Sequence, residues 1–344
     1  RACRGRGLAA RREPIDASVE PSPRRRLSLR QRPKIEMRIA HFSDLHVLSL
    51  AGVKPHQFLN KRLSGYANLR FKRNHIHRPP YVRAIAREIS RAKVDHVCIT
   101  GDLTNLALAQ EFLAARSLLE DGLDLEPSHV SIVPGNHDLY TRGALRAKRF
   151  STYFAKYIES DLPELGVDIG LGQFPYVKLR GRCAIIGLSS AVPRPPFVAS
   201  GQLGRQQLDA LGRILEHPEV KSRTPVVLLH HPVHNPRSRL KTMLEGLLDA
   251  DDLSHHLRGV EHGLVLHGHL HKRQQRPLPT HTGKMHAVGA TSASLHHEHE
   301  AKMAGFNLYE IDDRGGHVVR IEAHVLDPER DAFDIVEVPI FTQI

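Results

Sequence analysis

Five short motifs combine carboxylate, amide and imidazole side chains, and each follows a run of apolar residues. The motifs are "SDLH" with Asp44 and His46, "TGDLTN" with Asp102, "PGNHD" with Asn136 and His137, "LLHHPVH" with His230 and His231, and "HGHLH" with His269 and His271. Oxygen and imidazole ligands without thiolates suit Mn, Fe, Zn or Ni better than a structural zinc site. The motifs therefore predict a catalytic metal centre with open coordination positions.

Spacing within the motifs indicates that these side chains converge. In an extended chain, residues two apart point to the same side, so Asp44 and His46 are expected to share a face. The same expectation holds for His269 and His271. A glycine also precedes the metal-type residue in three motifs and permits a tight turn there. These glycines are Gly101, Gly135 and Gly268.

The segments between the motifs predict an α/β domain that begins near Met37. Predicted strands include "RIAHFS", "DHVCIT", "HVSIVP", "TPVVLLH" and "GLVLHG", and predicted helices include "PYVRAIAREISRAK", "LALAQEFLAARSLLE" and "RGALRAKRFSTYFAKYI". Their alternation is typical of a largely parallel sheet, and strand candidates near the C-terminus add antiparallel pairing. Because ligand sites in open α/β sheets lie beyond the carboxyl ends of the strands, the five motifs are expected to meet there.

The net charge of +12 is concentrated at one end of the chain. Residues 1–36 contain eleven Arg and Lys against four Asp and Glu, together with several Pro and Ser residues. This composition predicts a disordered basic arm, or a stretch that precedes a native start at Met37. The remaining net charge of +5 falls on the much longer stretch of residues 37–344, so no specific nucleic-acid partner is expected.

Cysteine content and hydropathy favour a cytoplasmic protein. The three cysteines, Cys3, Cys98 and Cys183, cannot form a disulfide framework, and the last two lie in predicted strands. The sequence has no run of 18 apolar residues and no apolar core of a signal peptide. Cys98 and Cys183 are therefore expected to be buried, inert thiols.

A segment rich in basic and aromatic residues lies between the first two motifs. This insert, residues 52–80, contains "PHQFLNKRLSGYANLRFKRNHIHRPP" and is longer than a simple connection. One interpretation is an excursion that packs on the domain with its charges in solvent. The other is an amphipathic surface for peripheral contact with an anionic membrane or a lipid-linked phosphate. His75 and His77 lack a preceding strand and a glycine turn, so neither is interpreted as a ligand.

The ordered motifs "DLH", "GDLTN", "GNHD", "HHP" and "GHLH" resemble those of the calcineurin-like metallophosphoesterase superfamily, over roughly Met37 to Phe306. The resemblance implies a four-layer α-β-β-α sandwich of two mixed sheets flanked by helices. We assign this domain to residues 37–326, followed by a C-terminal extension at 327–344. The resemblance also implies a centre of two transition metal ions, Mn, Fe or Zn, at the edges of the sheets.

The resemblance further implies which residues would bind the metals. The first metal would be held by Asp44, His46 and His271, the second by Asn136, His230 and His269, and Asp102 would bridge the two. In "LLHHP" either His230 or His231 can be the ligand, and the family's usual His-x-Pro pattern favours His230.

One residue of the third motif would act on the substrate instead. His137 would lie beside the metals without binding them and would donate a proton to the leaving oxygen or stabilise the charge that develops there. Asp138 would orient the loop or the imidazole. The turn that follows the third predicted strand would thus combine a ligand, a catalytic acid and the residue that positions them.

The same resemblance implies hydrolysis of phosphate esters by a hydroxide that bridges two metals. Two divalent ions outweigh the charges of Asp44 and Asp102, so such a site attracts an anionic phosphodiester. Protein phosphatases of the superfamily carry an Asp-Arg pair after the bridging Asp and a Glu after "GNH", whereas this chain has "GDLTN" and "GNHD". The pattern is more similar to bacterial class III cyclic-nucleotide phosphodiesterases. The predicted function is therefore a phosphodiesterase for a small substrate, with a cyclic nucleotide as the first candidate.

Three other functions are weighed against this one. The insert suggests a membrane-associated phosphodiesterase or pyrophosphatase that acts on lipid-linked phosphates. A non-catalytic scaffold is disfavoured because every ligand position is filled. A DNA nuclease would need an extended basic groove, which the charge distribution does not predict.

Overall fold

Two six-stranded β-sheets organise the part of the chain that the computed structural model describes, residues 34–49, 77–236 and 238–341. The strands are β1 (Ile35–Phe42), β2 (His96–Ile99), β3 (Val130–Ile132), β4 (Val167–Asp168), β5 (Gln173–Phe174), β6 (Tyr176–Arg180), β7 (Cys183–Gly187), β8 (Thr224–Leu228), β9 (His262–His267), β10 (Gln274–Pro279), β11 (Lys284–Gly289), β12 (Gly305–Asp312), β13 (Val318–Asp327) and β14 (Ala332–Glu337). The residues from Lys34 onward cluster as one unit.

Eight α-helices accompany these strands in the described ranges. They are α1 (Pro79–Arg91), α2 (Ala109–Gly122), α3 (Arg142–Arg146), α4 (Arg149–Phe154), α5 (Arg205–Glu216), α6 (Pro218–Lys221), α7 (Arg239–Glu245) and α8 (Ala250–Leu257). Short 3-10 turns lie at Pro127–His129, Ala155–Tyr157 and Pro163–Leu165. None of the helices in the described ranges has the length and apolar character needed to cross a bilayer.

Both sheets are mixed. The first has the order β14-β13-β12-β1-β2-β3, with parallel pairing of β1 with β2 and β2 with β3 and antiparallel pairing elsewhere. The second has the order β10-β11-β9-β8-β7-β6, with parallel pairing at its centre and antiparallel strands at both edges. A separate two-stranded sheet pairs β4 with β5. The predicted α/β class with two mixed sheets flanked by helices is confirmed.

Alternating burial shows how the layers pack. In β7, Ile185 belongs to the core that also contains residues of the first sheet, such as Ile39 and Ile99. Its neighbour Ile186 belongs to a second core, which includes Leu211 of α5. Because successive side chains of a strand point to opposite faces, the second sheet packs against the first on one side and against helices on the other. The central strands are therefore buried on both faces, as parallel strands generally are.

Helix α1 illustrates how the sequence pattern forms its element. Pro79 and Pro80 occupy the first turn, where a missing backbone N–H costs nothing. Val82, Ile85 and Ile89 recur at helical spacing and are buried. The helix thus packs its apolar stripe on the core and leaves Arg and Glu side chains outward.

One predicted helix is wrong in its continuity. The segment "RGALRAKRFSTYFAKYI" forms α3 and α4 instead of one helix, with a break at Lys148. Lys148 has a φ of 45°, in the left-handed region that an α-helix of L-residues does not adopt. Thr141 caps the start of α3 by accepting a hydrogen bond from the Ala144 backbone N–H. The chain therefore forms two short helices here instead of one.

Some of the segments predicted from the sequence lie outside the residues that the structure describes. Most of the 1–36 arm, most of the 52–80 insert, and His75 lie outside the described residues. Strand β1 begins at Ile35, and β14 extends the first sheet with residues from the predicted C-terminal extension, because Ala323 of β13 pairs with Val336. Cys98 and Cys183 are buried free thiols, and burial raises the pKa of both.

Candidate metal centre

The five motifs meet at the carboxyl ends of five strands. Asp44 and His46 follow β1, Asp102 follows β2, and Asn136 and His137 follow β3 of the first sheet; His230 follows β8, and His269 and His271 follow β9 of the second sheet. Backbone hydrogen bonds join the first two motifs, since the N–H of Asp44 donates to Gly101 and that of His46 to Asp102. All the predicted ligands therefore lie in one place, as the topology of the strands requires.

The first cluster contains Asp44, His46 and His271. The Nε2 atom of His271 lies 3.0 Å from Oδ1 of Asp44 and 3.1 Å from Nε2 of His46. His46 Nε2 is 3.8 Å from the same carboxylate oxygen. These three residues form a group whose ligand atoms all lie within 4.8 Å of one another, a spacing that a single ion can span.

The second cluster contains Asn136, His230 and His269. Oδ1 of Asn136 lies 3.0 Å from Nε2 of His230 and 3.1 Å from Nδ1 of His269. Asp102 lies between the two clusters. Its Oδ2 is 3.4 Å from His230 Nε2, and it also forms a group with His46 and His137 in which the ligand atoms lie within 4.8 Å of one another.

Two backbone carbonyls fix the tautomers of the second cluster. Nδ1 of His230 donates to the carbonyl of Thr100 at 2.7 Å, and Nε2 of His269 donates to the carbonyl of Glu245 at 2.9 Å. When the rings are neutral, as binding to a metal requires, the opposite nitrogen of each imidazole carries a lone pair. Both lone pairs face the carbonyl oxygen of the Asn136 side chain, which is a third acceptor. Acceptors at this spacing repel one another unless a cation or a shared proton lies among them, so the donor set fits a transition metal.

The electrostatics of the described residues also favour a cation. Burial alone would raise the pKa of both Asp44 and Asp102. The nearby His271 instead lowers the pKa of Asp44 below its ordinary value, and His230 lowers the pKa of Asp102 in the same way. Burial lowers the pKa of His230, yet the Asp102 carboxylate outweighs burial and raises that pKa to about 9. Burial and the nearby charge of His230 lower the pKa of His269 to about 3. Two ionised carboxylates thus draw positive charge into the cluster.

The structure distinguishes His230 from His231 by their partners. His231 Nδ1 bonds Ser190 Oγ at 2.9 Å, and its Nε2 bonds the carbonyl of Ala199 at 2.8 Å. Both ring nitrogens of His231 therefore already have partners on the protein. His230 Nε2 instead faces Asp102 and Asn136. This geometry agrees with the choice of His230 as the ligand.

The expectation of extended backbone at the ligands is wrong. Five of the predicted ligands have left-handed φ values, 55° for Asp44, 48° for His46, 51° for Asp102, 68° for His269 and 47° for His271. Such conformations cost about 1–3 kcal/mol each for residues other than glycine and occur mainly where function requires them. The chain turns at these five residues because the strands have already ended, and their side chains meet by these turns instead of by the pleat of a strand.

Two glycines permit the close approach of the second and third motifs. A Cβ at Gly135 would overlap both the backbone N and the carboxylate of Asp102. Gly101 has a φ of 94°, and a Cβ there would lie 2.7 Å from Cα of Gly135. The predicted role of glycine in bringing the ligand turns together is thus supported at this contact.

His137 lies at the edge of both clusters and is held by the second motif. Its backbone N–H donates to Oδ1 of Asp102 at 2.8 Å, and its Nδ1 bonds the carbonyl of Asn105 at 2.7 Å. Its ring stacks on Tyr140 with centroids 5.5 Å apart. Because Nδ1 is used by Asn105, Nε2 is the nitrogen that would address a substrate.

Asp138 fixes the loop that carries Asn136 and His137. Its buried carboxylate accepts hydrogen bonds from the backbone N–H groups of Gly135, Leu103 and Thr104 and from the Thr104 hydroxyl, at 2.9 to 3.2 Å. Burial, with the nearby charge of Asp102, raises the pKa of Asp138 to about 7 despite these bonds. The predicted orienting role of Asp138 therefore has a structural basis in the contact between the second and third motifs.

Sequence reasoning missed two neighbours of the centre. The Asn105 side-chain amide donates to the carbonyl of His46, so Asn105 supports both His46 and His137. Asn105 belongs to the quoted "GDLTN" motif, which was its only signal. The ring of His77 lies 4.9 Å from that of His46, and its Nδ1 bonds Ser294 Oγ at 2.7 Å. No spacing in the sequence indicates this position of His77, because it depends on a contact between distant parts of the chain.

Solved structures with a similar fold include two phosphatases. A dimetal phosphatase from Danio rerio aligns with a TM-score of 0.52 at 14% identity, over 89% of this chain and 100% of its own. The purple acid phosphatase PPD1 from yellow lupin aligns with a TM-score of 0.51 at 11% identity, over 87% of this chain and 55% of its own. Identities this low show a shared fold and nothing finer. No curated protein sequence matches the chain.

The sequence itself also matches a family. The family model for the calcineurin-like phosphoesterases matches residues 37–273, which is more than half of the chain and contains all five motifs. The match ends just after His271, the last predicted ligand. Its extent, together with the two-sheet fold and the convergence of the motifs, establishes that this chain belongs to the calcineurin-like phosphoesterase family.

Proposed function

We propose that this protein is a metal-dependent phosphodiesterase. The observation that supports the proposal most directly is the pair of ligand clusters joined by Asp102. Asp44, His46 and His271 would hold one ion, and Asn136, His230 and His269 the other. Two bound ions would activate water and neutralise charge on the phosphoryl oxygens. Metallophosphoesterases of this family hydrolyse phosphate esters, and the preference for diesters is our inference from the motifs.

Residues around His137 orient its ring toward the substrate. Asp102 holds the backbone of His137, and Asn105 holds its Nδ1, so Nε2 is oriented for the substrate. When the ring is protonated, Nε2–H donates a proton to the leaving oxygen as the phosphorus–oxygen bond breaks. Asp138 keeps this loop in place through its four hydrogen bonds.

The small number of carboxylates supports a diester substrate. Only Asp44 and Asp102 contribute negative charge to the proposed ligand set, while the other ligands are amide or imidazole groups. Two divalent ions would therefore leave the site positively charged and attractive to a singly charged diester. A cyclic nucleotide is the first candidate, because the motifs are most similar to those of class III cyclic-nucleotide phosphodiesterases.

A substrate panel tests this function. We expect bis-p-nitrophenyl phosphate to be hydrolysed with a higher kcat/KM than p-nitrophenyl phosphate, because the second negative charge of the monoester repels an attacking hydroxide. Activity should be lost after chelation and restored by Mn²⁺. The panel also contains cyclic AMP, glycerophosphodiesters and a nucleotide-linked lipid. Preference for the monoester would contradict the diesterase assignment, and full activity after chelation would contradict the metal centre.

An exposed apolar patch favours a second candidate, a phosphodiesterase or pyrophosphatase that acts on lipid-linked phosphates at a membrane. Phe197 is 91% exposed, and Leu240 and Met243 on α7 are 66% and 63% exposed. The backbone N–H of Ala199 donates to Leu244, which joins the Phe197 loop to α7, and the carbonyl of Glu245 accepts from His269. Apolar side chains at this position could enter the interface of a bilayer and bring the metal centre to a lipid headgroup.

Vesicle binding tests this second candidate. We expect the double variant Phe197→Ser, Leu240→Ser to bind vesicles of phosphatidylglycerol and phosphatidylcholine about tenfold more weakly, because two exposed apolar side chains are lost from the contact. Hydrolysis of bis-p-nitrophenyl phosphate should be unchanged.

Ile335→Ser serves as the matched control, because Ile335 is 62% exposed but lies on β14 of the first sheet. It should bind vesicles as the wild type does. Equal loss of binding in the control and the double variant would contradict a role for this patch, and so would wild-type binding by the double variant.

A further inference from the structure

A groove of about 670 Å³ opens beside the first ligand cluster. Its inner end is formed by His46, a predicted metal ligand, and by Asn105, which holds His137. The volume lies within the range of pockets that enclose most of a small organic ligand. A group esterified to a phosphate at the metal centre could therefore extend directly into this groove.

The walls of the groove are aliphatic. Val47 and Leu48 come from the turn after β1, Val82 from α1, and Ala114 and Leu118 from α2. Val82 is buried, and the other four are half-buried, so they present apolar surface to the groove. Filling it with a hydrocarbon chain would remove that surface from water.

The described lining does not resemble a nucleotide site. The only aromatic rings that the described lining contributes are the imidazoles of His46 and His77, both beside the metal centre. Recognition of a base generally uses aromatic stacking along the pocket, and the described walls provide no Phe, Tyr or Trp for it. Among the described residues, the groove therefore offers more contact to an aliphatic chain than to a base.

Charge at the outer edge of the groove fits an anionic ligand. Arg83 and Arg87 are exposed on the same face of α1 and line the groove, and no ion pair involves either one among the described residues. Asp121 of α2 also lines the groove and offsets part of this charge. The arginine stems can extend the apolar wall while their guanidinium groups stay in water.

We propose that this groove binds the aliphatic chain of a phosphodiester whose phosphate reacts at the metal centre. The proposal rests on the proposed function and selects a lipid-type ester over a cyclic nucleotide. In the reaction, the oxygen of water forms a bond to phosphorus, the bond from phosphorus to one ester oxygen breaks, and a proton passes to that leaving oxygen. The products are a phosphomonoester and an alcohol.

Two chromogenic esters that differ only in chain length provide the test. We compare p-nitrophenyl hexyl phosphate with p-nitrophenyl methyl phosphate on the Mn²⁺-loaded full chain. The hexyl ester is expected to have a KM lower by at least about tenfold, because burial of each pair of methylene groups contributes about that factor. Titration calorimetry with hexyl phosphate and methyl phosphate measures the same preference without any reaction.

Substitutions in α2 test whether the preference for the longer alkyl chain depends on the groove. Ala114→Phe fills the groove and should bring the KM ratio of the two esters close to one. Leu113→Phe is the matched control, because Leu113 is the adjacent residue and is 45% exposed outside the groove. It should keep the wild-type ratio. Ser117→Phe, at an exposed position in the groove, repeats the test if thermal unfolding shows that Ala114→Phe is misfolded.

The possible results separate this inference from the proposed function. Equal KM values for the two esters in the wild type would overturn the inference, as would a ratio that both groove variants leave unchanged. A different result would separate the two proposals. If hexyl phosphate binds more tightly than methyl phosphate and only the groove variants lose this preference, the groove is supported. If neither ester is hydrolysed in the same experiment, the diesterase function fails. Equal binding of the two phosphates overturns the groove whatever the activity.

Discussion

Asp102→Asn is expected to lower turnover of bis-p-nitrophenyl phosphate by at least about 10³-fold and to reduce the bound metal. Asp102 belongs to ligand groups with residues of both clusters, so its charge serves both proposed ions. Asparagine keeps the volume of the side chain and tolerates the φ of 51° at this position. The loss should therefore come from the missing charge, while the fold is kept. Measurement of kcat together with metal content by mass spectrometry checks this expectation.

Asp124→Asn is the matched control for the charge change. Asp124 is exposed just beyond the end of α2, and none of the metal-type groups of the described residues includes it. The variant should keep both turnover and metal content. An Asp102→Asn protein with two metal ions per chain and wild-type turnover would show that Asp102 is not the residue that joins the two sites.

The second large effect is expected at His137. His137→Ala should keep the metal content and lower turnover by about 10²-fold or more, because the proposed proton donor is lost while the proposed ligands stay. The loss should be larger for an alkyl leaving group than for p-nitrophenolate, which is already a stable anion. Comparison of a glycerophosphodiester with bis-p-nitrophenyl phosphate measures this difference. A merely structural role would reduce both rates equally.

His129→Ala provides the control for removal of an imidazole. His129 is exposed before β3, where its Nδ1 bonds the carbonyl of Asp95 at 2.9 Å. This variant should keep wild-type turnover on both substrates. Unchanged turnover in His137→Ala would refute the catalytic role, and loss of metal would assign His137 to the ligand set instead.

The convergence of the motifs could be predicted because it depends on local signals. Each motif directly follows an apolar run, and strand ends in parallel sheets gather at one edge. Asp44 and His269 therefore come together although 225 residues separate them, with the His269 N–H bonded to Asp44 Oδ2. The backbone at these residues could not be predicted in the same way. Left-handed turns at Asp44 and His46 are stabilised by hydrogen bonds to Gly101 and Asp102, which belong to another part of the chain.

Other features depended on contacts that the sequence does not reveal. The strand β14 forms by pairing with β13 although its pattern is weak, and α3 and α4 separate at Lys148 although their residues favour one helix. His77 lies against His46 through a bond to Ser294, more than 200 positions away. In each case tertiary packing overrides the local preference. The groove beside the centre is likewise invisible in the sequence, because its walls come from three separated segments.

The two sheets share the proposed centre, so ion binding would affect how the sheets pack against each other within the chain. His230 of the second sheet bonds the carbonyl of Thr100 in the first, and the proposed ligands of each ion include side chains from both. Binding of ions would then be thermodynamically linked to docking of the two halves of the fold. Substitutions deep between the sheets, for example at Ile185, can therefore weaken metal affinity without touching a ligand. The free energy of folding and the free energy of ion binding would then be coupled, so a change in one would change the other.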